Sequence, residues 1–324
     1  MVTPLKTAAM GFTTGTSIMK KYLLPFLLCL VANPVSAELS QQGEFYAKLN
    51  VNGQLADEGE DSFSEIRSNN SWIGVKGDIR LQEALSVVYR LEWKVDITGE
   101  KGVDNLTERP QYVGLRGRFG ELTLGRNFTA LWMAQGKIDL YNHYEGDIAA
   151  IWKGENRLSD VATYTSPTWH GFHAVLTYQA EKSSAGDDAI SAGLFYGDAN
   201  LKSSAWFVAL AQDFDVAGFD VTRASVQHKL GAGKLGIMLQ RQDPSAGGDA
   251  RNGALASYSH RWGEWEWRAQ LQSMEDDRTY NLGFDYHLGK QTKVYAWAAH
   301  IEQDDNPDRR YLALGFEHKL SIDF

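Results

Sequence analysis

Apolar and polar side chains alternate along the last fourteen residues of the chain, 311–324. A repeat of two places the apolar side chains on one face of a β-strand and the polar ones on the other. The apolar set is Leu312, Leu314, Phe316, Leu320, Ile322 and Phe324. A strand that crosses a bilayer at a tilt takes about nine to eleven residues, so this segment is long enough. The pattern predicts a membrane-spanning strand whose terminal Phe324 lies at the membrane interface.

The same alternation recurs in sixteen strand-like segments and is clearest between Leu85 and Ile97. The charged residues on its polar face are Arg90, Glu92, Lys94 and Asp96. In a soluble domain that face would contact solvent, whereas in a barrel it lines a water-filled lumen. The segments predict an all-β fold, a transmembrane antiparallel β-barrel of sixteen strands. Weak boundaries in strands 8 to 12 leave fourteen or eighteen strands open.

Short turns and longer connections alternate between these segments. Gly-centred short turns are predicted at 76–81, 116–121, 167–171, 197–200, 231–233, 262–264 and 289–291. Longer polar connections are predicted at 56–70, 98–107, 127–158, 181–188, 213–218, 243–251, 274–278 and 303–309. Seven short and eight longer connections place both termini on the short-turn side, as a bacterial outer-membrane barrel requires.

The N-terminal segment has the features of a secretory signal peptide. Lys20 and Lys21 precede an apolar core at 22–35, and Val35, Ser36 and Ala37 form a small-residue cleavage site. We therefore predict a signal peptide at 1–37, with 1–18 as an extended leader or a misplaced start, and one barrel domain at 38–324. The chain's single cysteine falls inside the predicted signal peptide, which excludes disulfide and thiolate chemistry from the mature protein.

Composition supports an exported all-β protein. The chain has 31 glycines, 12% aromatic residues and 7 prolines, and its mean hydropathy of -0.36 is too low for a helical membrane protein. Removal of 1–37 takes away three lysines and no acid, which leaves 29 basic and 41 acidic residues from the 32 and 41 of the whole chain. The resulting charge of -12 argues against nucleic acid as a partner.

Three stretches resemble the general porins of Gram-negative outer membranes. They are SWIGVKGDI (71–79), RPQYVGLRGRFGELTLGRNF (109–128) and RLSDVATYTSPTWHGFHAVLTYQ (157–179). The resemblance implies a homotrimer of sixteen-stranded barrels in the outer membrane, reached by export through the periplasm. Each barrel is then a passive channel narrowed by a third loop that folds into the lumen. Phe324 is similar to the family's assembly signal. The implied partners are lipid and lipopolysaccharide, the barrel-assembly machinery, and small hydrophilic solutes and ions, with no cofactor.

The resemblance also implies a pore constriction built from the long connection 127–158. Within 136–150, Asp139 and Asp147 stand at acidic family positions, His143 stands where an acid is common, and Glu145 is expected to supply the missing charge. The opposing basic wall is implied to contain Lys48 and Arg109. Trp72 and Thr165 occupy wall positions where arginine is frequent in the family. The bases expected to replace the lost charge in part are Arg90, Arg126 and Arg157.

These assignments predict a channel for ions and small hydrophilic solutes that prefers cations, because basic charge is lost at two wall positions while the loop acids remain. The alternative is a sugar-selective channel in which Trp72, Trp132 and Trp152 stack on sugar rings. For Trp132 and Trp152, packing of the loop against the wall is favoured over contact with sugar. A plugged structural barrel is disfavoured by the short external loops.

An enzymatic function is not expected. The eight histidines show no metal-ligand spacing apart from His170 and His173, which would point to opposite faces of a strand. No serine lies in a nucleophile elbow. The acidic loop tips at 58–61, 276–277 and 304–305 are interpreted as solvated charge, so no metal site is predicted.

Overall fold

Strands make up most of the chain in the computed structural model, which describes residues 40–99, 104–180, 188–304 and 306–324. The predicted signal peptide lies outside the described residues. The strands are β1 Ser40–Asp57, β2 Ser62–Ser68, β3 Ser71–Gln82, β4 Leu85–Val95, β5 Leu106–Gly117, β6 Gly120–Phe128, β7 Arg157–Thr165, β8 Phe172–Gln179, β9 Ala189–Gly197, β10 Trp206–Val216, β11 Phe219–Leu230, β12 Gly233–Pro244, β13 Arg251–Trp262, β14 Trp265–Met274, β15 Asp277–His287, β16 Thr292–Gln303 and β17 Asn306–Asp323. No helix in this part of the chain is long and apolar enough to cross a membrane.

The strands close into one antiparallel barrel. β1 pairs with β17 on one side and with both β2 and β3 on the other, and each later strand pairs with the next. β2 and β3 are two parts of one strand interrupted at Asn69 and Asn70, where Asn69 N still donates to Asn50 O. The described residues therefore form sixteen strands in seventeen segments, and the predicted barrel of sixteen strands is confirmed.

Connections alternate between the two ends of the barrel as predicted, with several differences in position. The end that contains Ser40 and Asp323 is called the turn end, and the opposite one the loop end. The predicted turn at 76–81 is wrong, because these residues belong to β3 and the turn lies at 83–84. The predicted loop at 56–70 is mostly strand, since β2 pairs with β1 from 62 to 68.

Two predicted longer connections, 213–218 and 274–278, are hairpins of two residues, at 217–218 and 275–276. Ala217 has a φ of 53° and Gly218 a φ of 81°. Two successive positive φ values define the tight turn whose twist matches a β-hairpin. The predicted short turn at 197–200 is instead longer, spanning 198–205.

The distribution of apolar and polar side chains between the outside and the inside is the reverse of that in a soluble protein. Large apolar side chains are exposed on the outside of the barrel, including Leu314 at 69% and Ile322 at 64% exposure. Polar side chains are buried inside, including Asn50, Gln227 and Gln270. A barrel with an apolar exterior and a polar interior places its outer surface in lipid and its lumen in water.

The C-terminal strand is held at the turn end as the alternation predicts. Phe324 N donates to Gly43 O and Gly43 N donates to Phe324 O, each at 2.9 Å, so the last residue continues the pairing of β17 with β1. The Phe324 side chain is 58% exposed. Its part in assembly stays a prediction.

The connection 129–156, here called loop 3, folds into the barrel. It contains α1, Ala130–Ala134, capped by Thr129, and a single 3₁₀ turn, Ile148–Ala150. Its buried apolar side chains pack against the wall in two clusters. Ala130, Leu131 and Ala134 of α1 pack against β8 to β11. The rest of the loop packs against β12, β13, β14, β16 and β17, in a cluster that includes Ile138, Tyr141, Ile148, Trp152, Met238, Leu255, Met274, Trp297 and Ile301. Loop 3 therefore covers one side of the lumen and leaves the passage along the opposite wall.

Candidate functional site: the pore constriction

Three connected cavities line the passage beside loop 3. The outer cavity, of about 550 Å³, faces the loop end, and the eyelet cavity, of about 480 Å³, lies beside loop 3. The vestibule cavity, of about 440 Å³, lies below loop 3 at the turn end. Arg109 lines both the outer and the eyelet cavities, while Lys137 and Lys319 line both the eyelet and the vestibule. The shared residues indicate one continuous path through the barrel.

The break between β2 and β3 helps to position the basic wall. Asn70 has a φ of 53°, a left-handed conformation that asparagine tolerates better than most residues. Its side-chain Oδ1 accepts a hydrogen bond of 2.6 Å from Arg109 Nη1. The interruption of the strand thus places an amide oxygen against the arginine that the family resemblance assigned to the constriction.

Glu92 holds two arginines of the wall together. Its carboxylate accepts from Arg109 Nε and lies 2.5 Å from Arg90 Nη2, and Tyr46 donates to it at 2.8 Å. Glu92 itself is fully buried. A buried carboxylate between two guanidinium groups fixes their orientation and cancels part of their charge. Arg90 and Arg109 both line the eyelet cavity.

The other predicted wall residues divide into two groups. Lys48 and Trp72 line the eyelet cavity, with Lys48 Nζ 5.8 Å from the Trp72 ring centre, and Arg157 lines the outer cavity. Arg126 instead donates to Ser159 Oγ at 2.6 Å and does not line these cavities. Thr165 is the last residue of β7, at the turn end, and so lies away from the constriction.

The two predicted loop acids are engaged inside loop 3. Asp139 Oδ1 accepts from Tyr141 N and Gln270 Nε2, and its Oδ2 accepts from Ile148 N. Asp147 accepts from Ala149 N and His143 N. Their carboxylates therefore satisfy backbone donors of the loop, although Asp139 still lines the eyelet cavity and Asp147 the outer one.

Burial changes the charge that these loop residues carry. It raises the pKa of Asp139, against the hydrogen bonds from Gln270 and the backbone. Burial, followed by the neighbouring carboxylates of Asp139 and Glu155, raises the pKa of Asp147 well above its ordinary value. Burial, with Lys48 and Arg109 nearby, lowers the pKa of His143 to about 2, so its imidazole is neutral.

Glu145 ties the tip of loop 3 to the wall. Its Oε1 lies 2.5 Å from Arg67 Nη1 and accepts from Gln54 Nε2 at 3.2 Å. Arg67 falls in the segment that the sequence assigned to a loop, so this partner was missed. The negative charge of Glu145 is present beside the outer cavity, but it is paired with a base.

The tryptophans considered for sugar stacking have different surroundings. Trp152 is 2% exposed and donates from Nε1 to Ser273 O at 2.8 Å, so it packs loop 3 against the wall. Trp132 stacks on Phe128 with ring centres 3.6 Å apart and lines the eyelet cavity together with Trp72. Packing therefore accounts for Trp152, while Trp72 and Trp132 reach the passage.

The vestibule cavity contains bases that the sequence reasoning did not select. Its basic residues are Lys137, Lys202, Lys234, Arg268, Lys290, Lys293 and Lys319. Its acidic residues are Asp139, Glu266, Asp285 and Glu317. Strand alternation places Glu317 and Lys319 on the polar face of β17, a signal that would have found them. Lys137 sits within the loop segment that resembles the family's constriction.

Comparison with known proteins gives the family. A model described as Gram-negative porin matches residues 26–306. The major outer membrane protein P.IB of Neisseria gonorrhoeae is 22% identical over 344 residues, which cover 90% of this chain and 96% of that protein. A P.IA protein of Neisseria meningitidis serogroup C is 33% identical over 112 residues, covering 34% of this chain and 28% of that protein.

Solved structures show the same fold. An anion-selective porin from Comamonas acidovorans superposes with a TM-score of 0.70 at 20% identity, covering 87% of this chain and 100% of that one. OmpT of Vibrio cholerae, in its trimer form, gives a TM-score of 0.63 at 13% identity with the same coverage. The Neisseria relatives and OmpT are named outer membrane proteins, and the Comamonas structure is named a porin. Together with the closed barrel and its polar lumen, the family match shows that this chain belongs to the Gram-negative porins and is a barrel of the outer membrane.

Proposed function

We propose that this passive outer-membrane channel prefers small anions, and that the charges lining its passage set the preference. The observation that carries the proposal is a twofold excess of bases. Fourteen different Lys and Arg residues and seven Asp and Glu residues line the three cavities. The vestibule holds seven bases and four acids, the outer cavity five and two, and the eyelet adds two and one.

Every acid of the vestibule already has partners, and this increases the effect of the excess of basic residues. Asp285 lies 3.0 Å from Arg268 and 2.7 Å from Lys293, and Glu317 lies 3.2 Å from Lys319. Glu266 contacts His287 at 3.1 Å, and Asp139 is bound within loop 3. Among the described residues, the lysines in ion pairs are Lys76, Lys293 and Lys319. Lys137, Lys202, Lys234 and Lys290 therefore leave uncompensated positive charge in the vestibule.

The cation preference predicted from the sequence depended on free carboxylates at Asp139, Glu145 and Asp147. Two of these are engaged by loop donors and the third is paired with Arg67. The net charge of the whole chain, -9, also counts acids outside the passage. Ions in a narrow lumen respond to charges within about 8 Å at physiological salt, so the lining decides selectivity rather than the total. The Comamonas relative of the same fold is named anion-selective, which agrees with this proposal.

The reversal potential of the purified protein in a planar bilayer under a KCl gradient tests the proposal. A reversal potential displaced from zero toward the chloride equilibrium potential supports it. A displacement toward the potassium equilibrium potential would restore the cation preference predicted from the sequence. The same bilayer tests the sugar alternative through Trp72 and Trp132, because a sugar-selective pore is blocked by micromolar oligosaccharide and a general diffusion pore is not. The absence of any conductance would contradict both.

Lower pH is expected to strengthen the anion preference. The pKa values of Asp139, Asp147 and Glu155 are raised by burial, so these carboxyls gain protons at a higher pH than ordinary ones as the pH falls from 8 to 5. His143 stays neutral over this range because its pKa is lowered to about 2. The lumen thus becomes more positive, and the reversal potential should move further toward chloride. An unchanged potential, or one that moves toward potassium, would contradict this.

The protein is also proposed to act as a homotrimer that accommodates lipid and lipopolysaccharide around its apolar exterior. Support comes from the family and from the trimer form of the Vibrio cholerae relative. Mass measurement of the detergent-solubilised protein tests the stoichiometry, and a monomer would contradict it.

A further inference from the structure

A group of three metal-ligating side chains lies at the loop end of β16 and β17. His300 Nε2 is 3.3 Å from Asp308 Oδ2, and His300 Nδ1 is 3.8 Å from Glu302 Oε1. One ligand atom from each of the three residues lies within 4.8 Å of the other two. An imidazole with a carboxylate beside each ring nitrogen is an arrangement that a metal ion can use, either by direct ligation or with one carboxylate orienting the ring.

Strand geometry places this group on the outer face of the barrel. Trp297, Ala299 and Ile301 of β16 are buried toward the lumen, so His300 between them points outward. The register between β16 and β17 shifts between Ile301 and Gln303. A bulge of this kind leaves a residue unpaired and re-aims its side chain. Here the extra residue lies on β17, where Pro307 and Asp308 stand opposite Glu302, and the Asp308 carboxylate lies beside His300.

A second group with the same ligand types is less suited to a metal ion than the group of His300, Glu302 and Asp308. Glu266, Asp285 and His287 also lie close together in the vestibule. There, however, Asp285 is already in contact with Arg268 at 3.0 Å and Lys293 at 2.7 Å, so a cation would meet two positive charges. Within the group of His300, Glu302 and Asp308, the ion pair with an arginine or lysine among the described residues is that of Arg310 Nη2 with Asp308, at 3.9 Å. The Arg310 side chain is 61% exposed, so it is free to turn away into solvent.

We propose that His300, Glu302 and Asp308 bind one divalent transition-metal ion, with water completing the coordination. Zinc bonds of about 2.0–2.2 Å in a tetrahedron place ligand atoms about 3.4 Å apart, which the 3.3 Å separation of His300 and Asp308 already matches. An imidazole ligand favours zinc or nickel over calcium and magnesium, which prefer oxygen ligands. A bound ion would link β16 to β17 at the loop end of the barrel.

Calorimetric titration of the folded, chelator-washed full-length protein with Zn²⁺ alone tests the site. The expected result is saturable binding of one ion per chain, with Ca²⁺ at the same concentration giving no competing signal. The substitution His300→Gln should weaken the affinity at least tenfold, and Asp308→Asn should weaken it too. Because these side chains lie on the exposed rim, retained heat-modifiable migration on gels is expected to show that both variants fold.

Two control variants locate the binding. His228→Gln removes an outward-facing histidine at the turn end, where it stacks on Trp206, and should leave zinc affinity unchanged. His287→Gln removes the histidine of the vestibule group and should also leave it unchanged. Absence of saturable binding in the unaltered protein, or equal affinity in His300→Gln, would overturn the proposal. Loss of binding in His287→Gln alone would assign the ion to the vestibule and overturn it as well. None of these readouts depends on the ion preference of the pore.

Discussion

Replacing both Lys48 and Lys137 with glutamate is expected to invert the ion preference of the pore. Both lysines line the eyelet cavity, one from β1 and one from loop 3. Neither forms an ion pair with a described carboxylate, so the change leaves no buried partner uncompensated. It alters the charge of the eyelet lining by four units, and the field of each of these charges extends over a Debye length of about 8 Å at physiological salt. In a tenfold KCl gradient the equilibrium potentials of chloride and potassium each lie about 59 mV from zero, with opposite signs. The reversal potential should change sign and move by tens of millivolts, from the sign of the chloride potential to that of potassium.

Matched variants separate local charge from general damage. The pair Lys48→Met and Lys137→Met removes two charges rather than four, so its potential should fall between those of the unaltered protein and the glutamate variant. Arg241→Glu changes a charge on the outer face, where Arg241 pairs with Asp243 at 3.0 Å, and should leave the potential unchanged. If the glutamate variant keeps its chloride preference, the eyelet does not determine selectivity.

Arg109 is a poorer choice for such a test, although the family resemblance pointed to it. Its guanidinium contacts the fully buried carboxylate of Glu92 and the Asn70 amide. Removing one partner of a buried ion pair costs roughly 3–5 kcal/mol, because the remaining charge is left without compensation. A selectivity change in an Arg109 variant would therefore be mixed with a loss of stability in the wall.

The alternation of apolar and polar residues was enough to predict the architecture. A barrel wall faces lipid on one side and water on the other, so the side chains of each strand alternate in polarity with a period of two. The C-terminal strand and the strand count followed from it. The turn predicted at 76–81 failed because Gly77 was interpreted as a turn residue. In the barrel it lies within β3, where a side chain would collide with Tyr89 and the Gln42 carbonyl. A strand glycine can mark a close approach of neighbouring groups as well as a turn.

The sequence allowed us to predict which residues lie at the constriction, but not which of their charges are free to act on ions. The family resemblance assigned Lys48, Arg109 and Asp139 to the constriction and offered Arg90 as a partial replacement for lost wall charge; these four residues line the eyelet cavity. The sequence did not show that the Asp139 oxygens accept from two backbone N–H groups and Gln270, since this depends on how loop 3 folds onto β14. Arg67 was missed because a strand paired with β1 resembled a polar loop. The proposed anion preference depends on these contacts, which the prediction of a cation preference from the sequence did not include.

Replacing Trp152 with alanine is expected to release loop 3 from the wall and to widen the pore. Trp152 packs with Met238, Leu255 and Met274 in the cluster that holds the loop, and its Nε1 donates to Ser273 O. Truncating a buried tryptophan costs roughly 3–5 kcal/mol. That loss acts on the loop rather than on the barrel, because the strand pairing is unaffected. Single-channel conductance should rise and become noisier, while the folded barrel persists on unheated gels.

Two further substitutions distinguish packing from a role in solute contact. Trp152→Phe keeps most of the apolar volume and loses the hydrogen bond to Ser273, so its conductance should stay near that of the unaltered protein. Trp132→Ala removes a ring that stacks on Phe128 and faces the eyelet, and should leave the loop in place with a small change in conductance. Unchanged, quiet conductance in Trp152→Ala would mean that the remaining contacts of loop 3, such as Tyr141 to the Arg268 carbonyl at 2.9 Å, are sufficient to hold it. The packing of Trp152 would then not determine the width of the pore.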